Sequence, residues 1–557
     1  MSVFRCFLAF TLCLTFGQTV DESVVVVRVG NGVINGRKEL SVDGKRVHVF
    51  KGIPFAKPPI GDLRFRRPVP AGEWRQPLDA FEFAPPCYQN GKYNSSLFPN
   101  SGFSEDCLYL NVVSPQISDE LNPVMVWIHG GALTKGTANV DTFGGKELSA
   151  KGVVFVSINY RLNALGFLYS GEESAPGNVG LWDQTLALEW VNDNIRYFGG
   201  DEKRITIFGE SAGSWSVSLH ILSPASRHLF HNAIMNSGAY LYAFNDDRAE
   251  DHAKKWLKGA KLIGCEDGEN GAKFTEKVMQ CLRAAKAEKL VDILEAKELT
   301  VGSIKMWNLV VIDGHFLPKR PQEMLSSGDL KRDLNLMVST TEDEGSFLLA
   351  YYYDSEKFSG KTPRNLTFKE AFNELQEISS ELSSRTPVDG QEVAKLYFAG
   401  LSERNSADLW RQTIGKAVGD YYITCPTLEF AKQVFRRSEF KVKVFQYLFN
   451  SKFQDILICG HWMGVCHGND LFPMFGIPLV FADKFNEREK EISRQMIEIL
   501  TDFAKKGEPP KQKDSLWPQY YSINDAIIAP YYEFTNELRK DTNFGKDFKS
   551  VECEYLW

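Results

Sequence analysis

Residues 209–213 read Gly-Glu-Ser-Ala-Gly, so a serine stands two positions from a glycine on either side. This matches the G-x-S-x-G pattern, in which the serine lies on a sharp turn between a strand and a helix. The context fits, because residues 204–208 predict a preceding strand and residues 214–222 are compatible with a following helix. We therefore expect Ser211 to be a nucleophile whose hydroxyl stands above the edge of a sheet.

A histidine is needed next, because a serine hydroxyl is a weak nucleophile until a base removes its proton. In enzymes built on this turn, an acid and then a histidine follow the serine along the chain. Of the 9 histidines, His461 and His467 alone lie well into the C-terminal third, and both follow a predicted strand at residues 442–448. His467 is favoured because Gly468 lets the imidazole reach into a site, but spacing alone does not exclude His461.

The acid is expected at the end of a strand between the serine and the histidine. Three adjacent carboxylates, Glu342, Asp343 and Glu344, follow a predicted strand at residues 334–338. A triad acid must be buried beside the histidine, where it fixes the tautomer and stabilises the imidazolium. The spacing does not choose among the three, and two of them must belong to a solvated acidic loop.

The backbone after another predicted strand, residues 124–128, could hold an oxyanion. That strand runs directly into His129-Gly130-Gly131. Glycines let backbone N–H groups approach a substrate closely, and such donors stabilise the charge that develops in acyl transfer. We expect Gly130 and Gly131 to donate from this loop and Ala212 to donate from the serine turn.

These residues must be positioned by a sheet, because short apolar strands alternate with amphipathic helices along the chain. Strands are predicted at residues 124–128, 153–158, 204–208, 334–338 and 442–448, and helices at residues 183–197 and around residues 492–503. Such alternation predicts an α/β fold with a large, mostly parallel central sheet and helices on both faces. Ligands bind such sheets at the carboxyl ends of the strands. We find no repeat or linker, so residues 18–557 are expected to form one domain.

Composition excludes several classes of protein. The apolar fraction of 43% in 557 residues provides for a large core and argues against intrinsic disorder. Lys and Arg number 64 against 71 Asp and Glu, so there is no basic surplus to bind nucleic acid. The cysteines form no CxxC pair of the kind that binds zinc, and we expect neither a metal nor an organic cofactor.

The first residues indicate secretion. One arginine precedes an uncharged apolar run at residues 6–16, and small residues suit cleavage before Gln18, so residues 1–17 are predicted to be a signal peptide. No second apolar run is long enough for a membrane anchor. Eight cysteines remain in the mature chain, an even number that favours disulfides in an oxidising compartment. Asn94 and Asn365 begin glycosylation sequons.

These motifs stand in a wider pattern that identifies a family. Further stretches of it are Phe-Lys-Gly-Ile-Pro-Phe-Ala-Lys-Pro-Pro at 50–59, Ser-Glu-Asp-Cys-Leu-Tyr-Leu-Asn at 104–111, Trp-Ile-His-Gly-Gly at 127–131, Gly-Asn-Val-Gly at 177–180, Asp-Glu-Gly at 343–345 and Trp-Met-Gly-Val-Cys-His-Gly at 462–468. From about residue 24 to residue 553 the chain resembles the type-B carboxylesterase and cholinesterase family, which implies the α/β-hydrolase fold and ester hydrolysis.

The resemblance assigns roles one residue at a time. It implies Ser211 as nucleophile, His467 as base and, among the three carboxylates, Glu344 as acid. It also implies Gly130, Gly131 and Ala212 as oxyanion donors, and no cofactor. Three disulfides are implied, namely Cys87–Cys107, Cys265–Cys281 and Cys425–Cys553. The resemblance does not decide whether Cys459 and Cys466 pair or stay as thiols.

One departure from the family bears on the substrate. Cholinesterases carry a tryptophan seven residues before Ser-Glu-Asp-Cys, and choline's ammonium packs on its face, whereas this chain has Leu97 there. Phe347 matches a second aromatic residue of that pocket, and Phe244 and Trp307 are expected to line the acyl side. The sequence thus favours a secreted carboxylesterase for small or lipophilic uncharged esters.

Three alternatives stay open. Acetylcholine hydrolysis is the first, and Leu97 argues against it. The second is a non-catalytic adhesion protein of the same fold, which is disfavoured because Ser211, Glu344 and His467 are all present. The third, dedicated hydrolysis of a hormone or pheromone ester, is not separable by sequence.

Overall fold

The computed structural model describes residues 23–91, 102–241, 248–268, 271, 273–296, 308–354, 356–382, 388–453, 459–512, 515–537 and 543–556. The predicted signal peptide and four candidate residues lie outside these ranges, namely Asn94, Leu97, Phe244 and Trp307.

Strands in the described ranges are β1 Val24–Val29, β2 Gly32–Leu40, β3 Arg46–Pro54, β4 Leu78–Asp79, β5 Tyr109–Ser114, β6 Asn122–Ile128, β7 Val154–Ile158, β8 Tyr169–Glu172, β9 Ala175–Pro176, β10 Gly200–Glu210, β11 Asn232–Asn236, β12 Asn335–Thr341, β13 Val444–Asn450, β14 Tyr521–Ile523, β15 Ala526–Ile528, β16 Pro530–Thr535 and β17 Phe544–Lys546.

Helices in the same ranges are α1 Lys146–Ser149, α2 Asn163–Phe167, α3 Val179–Asn194, α4 Ala212–Leu222, α5 Ala249–Leu262, α6 Glu276–Ala284, α7 Ala287–Asp292, α8 Pro321–Ser327, α9 Glu344–Tyr352, α10 Phe368–Leu382, α11 Gly390–Tyr397, α12 Ala407–Gly419, α13 Cys425–Arg437, α14 Leu471–Met474, α15 Ile477–Val480, α16 Glu487–Lys506 and α17 Ser550–Leu556. A π-helical turn, Asp420–Thr424, joins α12 to α13.

A large sheet of 13 strands forms the centre of the described part of the chain. Its order is β1-β2-β3-β5-β7-β6-β10-β11-β12-β13-β16-β17, with β4 paired to β2. The strands from β7 to β16 pair in parallel, and the antiparallel pairs lie toward the two edges. The predicted α/β fold with a mostly parallel sheet is confirmed.

Strand β6 shows why helices cover both faces of the sheet. Its apolar residues alternate between two separate core clusters, because successive side chains of a strand point to opposite faces. Val124, Val126 and Ile128 pack in a cluster that includes residues of α3 and α4. Met125 and Trp127 pack in a second cluster with residues of α16. A strand buried on both sides reads as a continuous apolar run, which is the pattern seen in the sequence.

A third core cluster lies among helices α9, α10 and α12. The axes of α9 and α12 approach closely at Gly345, where a Cβ atom would lie 2.1 Å from the carbonyl oxygen of Gly415 and 2.3 Å from the nitrogen of Gly419. No side chain fits in that space. The glycine after Glu344 therefore fixes how α9, and the carboxylate at its first position, lies against the sheet.

Helix boundaries follow local signals. The late helix α16 begins with a capping box between Asn486 and Glu489 and ends at Gly507, which has the left-handed φ of +70°. The helix expected at residues 183–197 begins earlier, at Val179, and passes into a 3₁₀ turn after Asn194. Ends of this kind are set by tertiary packing and are hard to place from periodicity.

Four disulfides join Cys87 to Cys107, Cys265 to Cys281, Cys425 to Cys553 and Cys459 to Cys466. The last pair, which the sequence left open, closes a short loop immediately before His467. Within the described ranges, no helix has the length and apolar composition to cross a bilayer, and no cluster of His, Cys, Asp and Glu has the arrangement of a metal site.

A buried ion pair ties the segment after β7 to α3. Asp183 accepts hydrogen bonds from the Arg161 guanidinium at 2.8 and 2.6 Å and from its backbone N–H at 3.0 Å. The two side chains are 4% and 0% exposed. Removing one partner of such a pair leaves an uncompensated buried charge, which is more costly than the net stabilisation that the pair provides.

We expect Asp183→Ala to lower the free energy of unfolding by about 3–5 kcal/mol, measured by urea unfolding with tryptophan fluorescence. Asp43→Ala is the matched control, because Asp43 pairs with Lys151 where the side chains are 52% and 33% exposed. That exposed pair is expected to contribute about 0–1 kcal/mol. Equal urea midpoints for the two variants would contradict the assignment.

Candidate active site

The turn that carries Ser211 is strained and crowded. Ser211 follows β10 and precedes α4, with φ of +58° and ψ of −123°, a conformation that costs energy for a non-glycine residue. A Cβ atom on Gly209 would lie 2.5 Å from the carbonyl carbon of Gly213, and one on Gly213 would lie 2.0 Å from the oxygen of Ile128. Both glycines of the motif are required by this packing, which holds the serine at the carboxyl end of a central strand.

The imidazole of His467 is held by Glu344. The distance from His467 Nδ1 to Glu344 Oε2 is 2.6 Å, and both side chains are almost fully buried. The other carboxylate oxygen of Glu344 accepts the backbone N–H of Thr341 at 2.7 Å. Both oxygens of Glu344 are therefore engaged, one of them at the Nδ1 atom of His467.

A second carboxylate, Glu210, lies at the other ring nitrogen. His467 Nε2 is 3.1 Å from Glu210 Oε1. Ser211 and His467 line the same cavity, but among the described residues no direct hydrogen bond joins the Ser211 hydroxyl to Nε2. The imidazole is thus placed between two buried carboxylates, one of which is the residue beside the serine.

The competing candidates occupy different positions. The side chain of His461 is 62% exposed and lies 3.2 Å from Asp408. Glu342 forms an ion pair with Lys416 at 2.9 Å, and Asp343 accepts the backbone N–H of Val465 at 2.9 Å. Of the two histidines and three carboxylates, the structure brings only His467 and Glu344 together.

The electrostatics of this cluster favour a protonated imidazole. Burial disfavours the charged ring, but Glu210 and Glu344 outweigh it and raise the pKa of His467 to about 9. Burial raises the pKa of Glu210 to about 7. Burial, followed by the charges of Glu210 and Glu344, raises the pKa of Asp470 to about 8. A proton is therefore retained readily in this cluster, and its position depends on the carboxylates around the ring.

The glycines of the loop after β6 face Ser211. A Cβ atom on Gly130 would lie 2.6 Å from the carbonyl oxygen of Glu210 and 3.1 Å from Ser211 Cβ. Gly131 has φ of +107°, and a Cβ there would lie 2.2 Å from the carbonyl oxygen of Lys135. Ala212 is the first residue of α4, where backbone N–H groups have no acceptor within the helix. Gly130 thus approaches Ser211 closely, Gly131 lines the same cavity as Ser211, and Ala212 follows it in the chain.

His129 supports this loop and does not carry protons. Its ring stacks on Tyr160 at 4.3 Å between centroids, and the Tyr160 hydroxyl donates to the His129 carbonyl oxygen at 2.7 Å. Burial lowers the pKa of His129 to about 4, so the ring is neutral at physiological pH. The side chain of Gln89 pairs with both backbone groups of Gly136, which fixes the far end of the loop.

A cavity opens beside Ser211. It is lined by Gly131, Ala132, Lys135, Glu210, Ser211, Trp215, Phe347, Leu348, Tyr352, Tyr422, Ile423, His467, Gly468 and Leu471. Phe347, expected here from the sequence, has its ring 5.6 Å from that of His467. The walls are mainly aromatic and aliphatic, so the cavity suits an apolar ligand with one reactive polar group.

Comparison with known proteins agrees with this geometry. The sequence profile of the Carboxylesterase family matches residues 22–554. The chain belongs to this family. It is therefore an α/β-hydrolase that hydrolyses carboxylic esters with a serine nucleophile.

Individual relatives cover most of the chain. An acetylcholinesterase of Bungarus fasciatus is 36% identical over 515 residues, which is 90% of this chain and 82% of the relative. A cholinesterase of Mus musculus is 35% identical, covering 98% and 88% of the two chains. An acetylcholinesterase of Leptinotarsa decemlineata is 35% identical, covering 95% and 85%.

Several residues of this carboxylesterase site were missed by sequence reasoning. Glu210 occupies a variable position of G-x-S-x-G, so the motif does not draw attention to it. Trp215 lies four residues after Ser211, about one turn along the predicted helix, and this spacing could have indicated that it lies near the serine. Lys135 follows Gly131 by four residues, in a turn whose path the sequence does not reveal. Tyr422 and Ile423 come from the π-helical turn, which has no clear sequence signature.

That turn is anchored by a distant segment. Asp420 is buried and lies 3.1 Å from Lys549, and it accepts the Tyr397 hydroxyl at 2.7 Å. The Cys425–Cys553 disulfide joins the same two regions one helical turn further on. A wall of the carboxylesterase cavity is therefore tied, by charge and by a covalent bond, to residues 549–553.

Replacing Glu210 by Gln should lower the pKa of His467 by about 1–3 units, because one of the two negative charges that stabilise the imidazolium is removed. The measurement is a pH titration of the downfield Nδ1 proton signal by NMR. Glu342→Gln is the control, since Glu342 pairs with Lys416 and does not contact the imidazole. A His467 pKa that is unchanged or higher in Glu210→Gln would show that the contact is not electrostatically important.

Proposed function

We propose that Ser211, His467 and Glu344 form the catalytic triad of this carboxylesterase. His467 removes the proton of Ser211 as the hydroxyl attacks the ester carbonyl, and then returns it to the leaving alcohol. Glu344 keeps the Nδ1 proton in place and stabilises the imidazolium. The observation that carries this proposal is the 2.6 Å contact between Glu344 and His467, with Ser211 lining the same cavity.

In the proposed reaction, Nε2 of His467 must break its contact with Glu210 and form a hydrogen bond with the Ser211 hydroxyl instead. In free enzymes catalytic hydrogen bonds are often long and tighten when substrate binds. The 3.1 Å contact between Glu210 and His467 keeps a proton near Nε2 in the free enzyme. A neutral His467 is needed for attack, so we propose that activity rises as pH increases through the pKa of this imidazole.

Gly130, Gly131 and Ala212 are the proposed oxyanion donors. The close approach of Gly130 to Ser211 and the position of Ala212 at the start of α4 support this assignment, in which the N–H groups stabilise the negative oxygen of the tetrahedral intermediate. Loss of one such donor typically costs about 2.7–4 kcal/mol of transition-state stabilisation. Water then hydrolyses the acyl-enzyme by the same acid–base route, which requires no cofactor.

The proposed substrates are small or lipophilic esters whose alcohol carries no quaternary ammonium. Trp215, Leu348, Ile423 and Leu471 supply apolar walls that support this class. Leu97, at the place of the cholinesterase tryptophan, supports it as well. Acetylcholine hydrolysis is the second candidate, because relatives carry the names acetylcholinesterase and cholinesterase and because Phe347, Tyr352 and Tyr422 are aromatic.

We also propose that the enzyme acts outside the cell. Four disulfides in the described residues support an oxidising compartment, and residues 1–17 have the pattern of a signal peptide. Asn365 is exposed and begins an Asn-Leu-Thr sequon, so we propose that it is glycosylated. Asn94 is the second proposed site.

Ser211→Ala should reduce kcat/KM for 4-nitrophenyl acetate by roughly 10⁴-fold or more, because the attacking hydroxyl is lost. The circular dichroism spectrum and the thermal transition should stay close to those of the wild type. Ser214→Ala is the matched control, since Ser214 lies one turn into α4 and donates to the Gly238 carbonyl oxygen away from the cavity. Wild-type turnover by a folded Ser211→Ala enzyme would refute the proposal.

Acetylthiocholine and S-(3,3-dimethylbutyl) thioacetate have the same shape, but the first carries a positively charged quaternary nitrogen where the second has a neutral quaternary carbon. We expect kcat/KM for the neutral thioester to equal or exceed that for acetylthiocholine, because a cation–π contact of roughly 2 kcal/mol is missing. Both rates are measured by thiol release. A preference of about 30-fold for acetylthiocholine, the equivalent of that contact, would favour the cholinesterase alternative.

A further inference from the structure

Lys135 lies in the wall of the active-site cavity, an unusual place for an ammonium group. Its backbone N–H donates to the Gly131 carbonyl oxygen at 3.0 Å, so it belongs to the turn that completes the oxyanion loop. The residue is only 6% exposed, and it lines the cavity that Ser211 and His467 line. Lysines are rarely buried to this extent, and a buried one beside a nucleophile calls for a functional reason.

Two tyrosine rings lie near the Lys135 ammonium. Nζ lies 5.9 Å from the ring centre of Tyr351 and 5.7 Å from that of Tyr352. Both rings stand at the end of α9, the helix that begins with Glu344. Burial lowers the pKa of Lys135 to about 8, against the attraction of the exposed Glu295 carboxylate. The group stays mainly cationic at neutral pH, and in this buried position its charge interacts strongly with an anionic group that enters the cavity.

The other charged groups of the cavity contact one another. The His467 imidazole lies 3.1 Å from Glu210 and 2.6 Å from Glu344. Burial raises the pKa of Glu210 to about 7 and that of Asp470 to about 8, which limits the negative charge that this cluster sets against an anionic ligand. Lys135 adds a positive charge among apolar and aromatic walls, where low polarisability strengthens electrostatic interactions. The same charge repels a quaternary ammonium.

We propose that Lys135 is a specificity-determining residue that binds a carboxylate, or another anionic oxygen group, carried by the ester substrate. This inference rests on the proposed function of Ser211 and narrows its substrate class. It also departs from the sequence-based expectation of wholly uncharged esters. The body of the substrate is apolar, as the walls require, and the group that reaches Lys135 carries negative charge.

Two pairs of esters test this proposal, since the charge could lie on either side of the scissile bond. The first pair is 4-acetoxybenzoate and its methyl ester, with the charge on the alcohol. The second is monophenyl adipate and its methyl ester, with the charge on the acyl group. The readout is the ratio of kcat/KM for the anionic member to that for the neutral member, measured by phenol release.

We expect the wild-type ratio to reach about 10 in at least one pair, a typical effect of a hydrogen bond to a charged group. In Lys135→Met and Lys135→Gln the ratio should fall to about 1. Lys151→Met is the matched control, because it removes one positive charge that pairs with Asp43 away from the cavity. It should keep the wild-type ratio. A ratio is used because a purely structural effect of Lys135 would change both rates of a pair together.

A wild-type ratio near or below 1 in both pairs would overturn the role of Lys135. So would a preference that persists in both Lys135 variants, or one that is lost equally in Lys151→Met. In each of these cases Ser211-dependent hydrolysis of the neutral esters would leave the proposed function intact. If the wild type hydrolyses none of the four esters, the proposed function fails and the inference falls with it.

Discussion

The imidazole of His467, buried between Glu344 and Glu210, is the constraint on which the rest of the site depends. A charged ring out of water is unfavourable unless carboxylates compensate it, and here one lies at each ring nitrogen. The three side chains come from the carboxyl ends of β10, β12 and β13 or from the loops that follow. Parallel strands bring those ends to one edge of the sheet. Residues that are far apart along the chain, such as Glu210 and His467, therefore come within about 3 Å of each other.

The turn that carries Ser211 positions more than the serine. Because adjacent residues of an extended chain point in different directions, the turn that exposes Ser211 also delivers Glu210 to the imidazole. The glycines around it allow β6, its loop and α4 to approach without side chains between them. The same crowding brings the backbone of Gly130 next to Ser211.

Sequence reasoning singled out Ser211 and favoured His467 over His461 because these predictions depend on order along the chain and on local turn chemistry. It placed the central strands because buried parallel strands leave continuous apolar runs. It did not choose Glu344 among three carboxylates without the family resemblance, since the choice depends on how Gly345 lets α9 pack against α12. Glu210, Lys135 and Tyr422 were missed for a related reason, because their roles arise from contacts between segments far apart in the chain.

The π-helical turn Asp420–Thr424 has a consequence for how the enzyme can be handled. It contributes Tyr422 and Ile423 to the cavity, while Asp420 and Cys425 bind it to residues 549–553. A reducing buffer that opens the Cys425–Cys553 disulfide would remove the covalent one of these two connections. Residues 549–553 are therefore an unsuitable point for immobilising the enzyme, because they help to hold a wall of the cavity although they lie far along the chain from Ser211.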